Sequence, residues 1–129
     1  MLSEINNIEG DWNIIDYSQH PECIGCQLKI TRDEINPDNF HVQVRIINTI
    51  KCNFRYISDT DLWEHSAVES TKMAGPLEKL NQERVISSFI NSIENLEVQG
   101  GVQLIARTVD GNLILLEHPR EENQIVNSQ

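Results

Sequence analysis

From Phe40 to Ile46 apolar and polar residues alternate without a break. Phe40, Val42, Val44 and Ile46 fall on one phase, and His41, Gln43 and Arg45 on the other. A period of two marks a strand with one face in a core and one in water, as in antiparallel sheets. The run predicts a strand over Phe40–Asn48, and the same reading predicts strands over Gly10–Tyr17, Cys26–Thr31, Ile50–Ile57 and Asp61–Ser70. Asn36, Pro37, Asp38 and Asn39 form a dense turn signal before the third of these. Asn48 and Thr49 are expected to fold the third strand back on the fourth as a hairpin.

Beyond Pro76 the period changes. Val85, Ile86, Phe89, Ile90 and Ile93 recur at helical spacing and form one apolar stripe, while Glu78, Lys79, Asn81, Gln82 and Arg84 make the first turns polar. A helix is expected over Leu77–Glu94. Two further strands, over Glu97–Arg107 and Asn112–His118, are expected to pair around Asp110 and Gly111, an Asp-Gly hairpin signal. The polar tail, 119–129, is expected to be disordered.

The fold class that follows is α+β: an antiparallel β meander of about seven strands, forming a curved sheet or half-open barrel, with one helix packed on it. A chain of 129 residues favours one domain, here 1–118 followed by the tail. At this size about two thirds of the unfolded surface is buried, enough for a core without disulfides or a metal.

Composition narrows the partners. Twenty acidic residues against ten basic give a net charge of -10, which argues against nucleic acid or an anionic membrane, both of which need a basic footprint. The charge reads as solubility, with a basic partner as the functional alternative. Aromatic residues make up 5%, too few for extended base stacking. No apolar run approaches the roughly 18 residues of a membrane span. No signal-peptide pattern opens the sequence as given, so a cytoplasmic location is expected.

The stretch Ser70–Ile90 holds a hydroxyl pair and a lysine just before the predicted helix. It lacks the Gly-x-Ser-x-Gly pattern of a nucleophile elbow, and Ser70, Thr71 and Lys72 lack Ser-x-x-Lys spacing. Gly75 permits a tight turn and Pro76 suits a helix start, so the stretch reads as a strand-to-helix junction. Ser70, Thr71, Met73, Ala74 and Pro76, followed by Glu83 and the amphipathic helix, resemble the META (HslJ-like) domain. Gly10 and Trp12 match that family's opening Gly-x-Trp, and Lys51–Tyr56 partly matches its central Cys-Asn segment. The resemblance spans about Ile8 to Glu117 and is closer in style to eukaryotic, kinetoplastid-type members than to bacterial lipoproteins. Gly75 stands where many bacterial members carry cysteine. The resemblance implies a conical or half-open barrel with one helix, no established catalytic residue, and links to stress response, secretion or virulence.

Other residues carry weaker signals. Cys23 and Cys26 have Cys-x-x-Cys spacing. Strand-like sequence follows them, whereas a thioredoxin-type pair needs a helix N-terminus to lower the thiol pKa. Cys52 with His20 or His41 would complete a zinc set of three cysteines and one histidine. Plain reduced thiols are the leading reading, with metal and redox roles as alternatives. His41 and His65 fall on polar strand phases, and all four histidines are expected in solvent. Asp59, Asp61, Glu64 and Glu69 read as solvated. Trp12, Trp63 and Phe89 are core candidates that would line a pocket if the sheet encloses one.

The functional expectation is a non-enzymatic, protein-binding or chaperone-like module with no cofactor and an unidentified protein partner. The alternative is a carrier of a small apolar ligand or lipid in a half-barrel pocket.

Overall fold

Strand pairing follows the alternation. In the computed structural model, which describes residues 8–119, nine strands form one sheet: β1 (Gly10–Asp16), β2 (Gln27–Arg32), β3 (Asn39–Arg45), β4 (Thr49–Ile57), β5 (Leu62–His65), β6 (Glu69–Ser70), β7 (Ile93–Gln99), β8 (Gln103–Thr108) and β9 (Leu113–Glu117). One helix, α1 (Leu77–Ser92), lies between β6 and β7. All pairings are antiparallel, in the order β5-β4-β3-β2-β1-β9-β8-β7, with β6 also on β4. The edge strands β5 and β7 approach within 8 Å between Cα atoms without pairing, so the sheet curls but stays open.

Nine strands replace the expected seven because two predicted strands each divide. Asp61–Ser70 becomes β5 and β6, which pair with opposite ends of β4. Between them Ser66 takes over the ladder: its N–H donates to the Asn53 carbonyl at 2.9 Å and its Oγ accepts from the Asn53 N–H at 3.0 Å. A serine hydroxyl that competes for backbone partners interrupts a strand in this way. The predicted Glu97–Arg107 strand divides at Gly100 and Gly101, with φ of +62° and +72°. Two adjacent left-handed residues suit a tight hairpin turn, and Gln99 pairs with Gln103 across it.

Two boundaries also move. The third strand ends at Arg45, which pairs with Thr49; Ile46–Asn48 form the turn, and Thr49 already belongs to β4. The helix ends at Ser92, whose hydroxyl donates to the Phe89 carbonyl at 2.8 Å. Ile93 is extended and pairs with Thr108, so sheet pairing overrides two residues of helical periodicity. The helix start agrees with expectation: Pro76 precedes Leu77, and its carbonyl accepts the N–H groups of Lys79 and Leu80. The Asp110–Gly111 hairpin forms as expected, with Gly111 at φ +87°.

The inward phase of the strands makes the core. Trp12, Ile14, Leu28, Ile30, Phe40, Phe54, Leu104 and Leu116 are buried in it. α1 adds Ile86, Phe89 and Ile90, with Val85 half-buried at the margin. No helix among the described residues is long and apolar enough to cross a membrane. The tail lies outside the described residues apart from Pro119.

Candidate functional site

The strand-to-helix junction is held by a buried polar cluster centred on Asn48. Its Nδ2 donates to Glu83 Oε1 at 2.9 Å and to the Met73 carbonyl at 3.2 Å. Its Oδ1 accepts from the Met73 N–H at 2.6 Å and from Thr71 Oγ1 at 3.0 Å. Glu83 Oε2 accepts from the Ile47 N–H at 2.6 Å and from the Asn48 N–H. Thr71 Oγ1 also accepts the Thr49 N–H at 3.0 Å. One asparagine thus joins the β3–β4 turn, the segment before the helix, and the helix itself. Gly75 packs closely nearby: a Cβ there would stand 3.0 Å from the Ile47 side chain, which would have to give way.

Three of the six junction residues singled out by sequence act through this cluster. Thr71 and Glu83 use their side chains, and Met73 its backbone. Pro76 ends the segment, Ala74 is exposed, and Ser70 Oγ donates only to the adjacent Thr71 carbonyl. The signal that sequence reading missed is Asn48, which reads locally as an ordinary turn residue.

Burial pushes the Glu83 carboxyl up, but the hydrogen bonds from the Asn48 side chain and from the Asn48 and Ile47 N–H groups outweigh it. The group is held below its ordinary value. A carboxylate with a depressed folded-state pKa contributes stability above its unfolded value of about 4.3 and loses it as pH falls through the folded value. Glu83→Gln places an amide donor against donors that the carboxylate accepts. It is expected to lose about 1–3 kcal/mol at pH 7 and to show a shallower acid loss than the wild type. Urea denaturation across pH 2–7 measures both.

Gly10 and Trp12 are brought together with His118. The Trp12 indole N–H donates to the Ile8 carbonyl at 2.8 Å, and its ring stacks on His118 with centroids 3.7 Å apart. Gly10 has φ +125°, and a Cβ there would meet the His118 ring at 3.1 Å. The three residues named as possible pocket lining are core residues in separate contacts. Trp12 is fully buried, Trp63 packs on Phe40 and Tyr56, and Phe89 packs on Tyr17.

The cysteines divide. Cys52 points into the core, and its thiol donates to the Ser66 carbonyl at 3.2 Å. Cys23 and Cys26 stand at the two ends of a turn in the β1–β2 connection, closed by the Cys26 N–H on the Cys23 carbonyl. Among the described residues no three His, Cys, Asp or Glu side chains converge to hold a metal ion, so the Cys23, Cys26, Cys52 set is not assembled. His65 corrects its predicted phase: it pairs with the buried Phe54 and lies half-buried against that ring at 5.6 Å.

A second feature emerges only when strands are placed in register. The outward phase of β2, β3 and β4 carries Gln27, Lys29, Thr31, His41, Gln43, Arg45, Thr49, Lys51, Asn53 and Arg55, with no acidic residue. Four of the chain's ten lysines and arginines thus share one solvent face of an otherwise acidic protein. Lys29, Gln43 and Lys51 are cross-strand neighbours in one row, closed by Asp11 at one end and Glu69 at the other. Thr31, His41 and Asn53 form the adjacent row. Together these residues line a shallow depression of about 380 Å³.

None of Lys29, Arg45, Lys51 and Arg55 forms an ion pair among the described residues. His41 is fixed at both ring nitrogens, Nδ1 against Asn53 Oδ1 at 2.6 Å and Nε2 against Asp33 Oδ1 at 3.0 Å. The Asn53 contact first, and the Asp33 carboxylate second, raise its pKa and favour the charged ring. The negative net charge read from composition therefore hides a local basic face.

No family model, curated protein or solved structure matches the chain.

Proposed function

We propose that the protein is an interaction module that docks an acidic, extended polypeptide segment on the outward face of β2–β4. The observation that carries this reading is the gathering of Lys29, Arg45, Lys51 and Arg55, with His41, on three adjacent strands that present no acid to solvent. Lys29 and Lys51 stand two strands apart, about 10 Å at ordinary strand spacing. That is close to three residues of a polyproline II segment, whose three-residue turn puts acidic side chains at i and i+3 on one side, in reach of both lysines. Gln43, Thr31 and Asn53 supply donors and acceptors between the charges. Asp11, Glu64 and Glu69 flank the face and repel acidic chains that overrun it. Such arrangements set partner choice and association rate more than raw affinity. The reading is in line with the protein-binding expectation drawn from the sequence.

The test is fluorescence anisotropy with a labelled glutamate-rich decapeptide, a lysine-rich peptide of equal length, and a single-stranded oligonucleotide. Selective binding of the acidic peptide, weakened by salt, is expected. The double variant Lys29→Glu, Lys51→Glu is expected to weaken it at least about tenfold through like-charge repulsion. Equal binding of the oligonucleotide, or peptide binding indifferent to the double variant, overturns the proposal.

A further inference from the structure

We infer that Cys23 and Cys26 are a dithiol site that closes reversibly to a disulfide by exchange with a low-molecular-weight disulfide. The inference rests on backbone geometry. The Cys26 N–H donates to the Cys23 carbonyl at 3.0 Å, closing a four-residue turn. Ile24 has φ -62° and ψ 131°, and Gly25 has φ +97°. These are the central angles of a type II turn, whose third residue needs a positive φ and is here glycine. A turn of this kind brings its end residues within about 7 Å between Cα atoms, and a disulfide spans about 4.4–6.8 Å. The two thiols lie near enough for each to shift the other's pKa. Ring closure therefore asks for little movement of the backbone.

The surroundings distinguish the two sulfurs. Cys23 is buried, and burial with the neighbouring Cys26 pushes its thiol up to about 12. Cys26 is only partly buried; burial raises its pKa too, while Lys79 of α1 and the Cys23 thiol act in the opposite direction. Cys26 is accordingly the entry sulfur. Its thiolate attacks one sulfur of the reagent disulfide, forming a mixed disulfide and releasing one small thiolate. Cys23 then gives up its proton, and its sulfur displaces the second small thiolate. Two electrons pass from the dithiol to the reagent, and the two protein protons end on the two released thiols.

The turn is also a junction. Gly25 N–H donates to the Ile14 carbonyl, Ile14 N–H donates to the Cys26 carbonyl, and Gln82 Nε2 of α1 donates to the Glu22 carbonyl at 2.6 Å. Closing the pair fixes the loop that β1 and the helix share.

The experiment equilibrates the whole protein with mixtures of reduced and oxidised glutathione, quenches it in acid, and alkylates it in denaturant before mass spectrometry. Fully reduced protein carries three alkyl groups, one for each cysteine. The expected product in an equimolar mixture has lost two hydrogens and carries a single alkyl group, which peptide mapping places on Cys52. Cys52→Ser is expected to keep the transition and Cys26→Ser, at the more exposed position, to abolish it. Three alkyl groups persisting in wild type at every ratio, or a bridge involving Cys52 in place of the Cys23–Cys26 pair, overturns the inference.

Discussion

Asn48→Asp, a change of one side-chain amide to a carboxylate of the same shape, is expected to destabilise the fold by about 3 kcal/mol or more at pH 7. In the native cluster the Asn48 amide nitrogen donates to Glu83 and to the Met73 carbonyl, while its oxygen accepts from Thr71 and Met73. Aspartate keeps the two acceptor positions and turns the two donor positions into acceptors. Its carboxylate then faces that of Glu83 at hydrogen-bond distance, where two like charges cannot both persist and one pKa rises steeply. The sign of the pH dependence separates this account from simple loss of packing. A group whose folded pKa is raised gains stability as pH falls toward that value, so the variant is expected to recover relative to wild type between about pH 7 and 5. Thermal melts at both pH values measure it. For a domain of this size the loss at pH 7 corresponds to a Tm lower by roughly 10–20 °C. An unchanged Tm would falsify the view that Asn48 holds the junction.

Phe89→Asp is expected to unfold the protein. Phe89 is almost wholly buried, lies between Ile86 and Ile90 on the inner face of α1, and packs on Tyr17 with ring centroids 5.5 Å apart. Removing a buried phenylalanine side chain costs about 3–5 kcal/mol through lost transfer energy and an unfilled cavity. Aspartate adds an unpaired charge in an apolar site, against a total stability of about 5–15 kcal/mol for a domain. Phe89→Leu is the control, at roughly 1–2 kcal/mol, because it keeps the apolar contact and loses only part of the volume. Circular dichroism and urea titration distinguish them. A Phe89→Asp protein that unfolds cooperatively with near-native stability sinks the packing of this helix against the sheet.

The parts of the fold that depend on neighbours in sequence are the legible ones. The alternation from Phe40 to Val44, the helix start after Pro76 and the Asp110–Gly111 turn each rest on a local rule, and each is present. The breaks at Ser66 and at Gly100–Gly101 are local too, but they sit inside strand-forming runs that outweigh them on paper. The Asn48 cluster is not local: its partners Met73 and Glu83 lie 25 and 35 residues away. No spacing rule relates them, although Glu83 is part of the pattern that resembles the META domain. The basic face is half legible. Alternation places His41, Gln43 and Arg45 together, but only the pairing of β2 and β4 beside β3 brings Lys29 and Lys51 into their row. The Cys-x-x-Cys spacing is plain in the sequence, whereas the turn that makes the pair bridgeable depends on the angles at Ile24 and Gly25.

The facing edges β5 and β7 bear on self-association. An exposed strand edge is a template onto which another chain can add by backbone pairing. Two edges that admit a strand between them must stand two inter-strand spacings apart, about 9.6 Å. Where β5 and β7 approach within 8 Å, that space is missing. A foreign strand cannot enter along that stretch unless the sheet first uncurls, and each edge shields the other from growth into fibres. The gap of one missing ladder of hydrogen bonds is thus too narrow to admit a strand along that stretch.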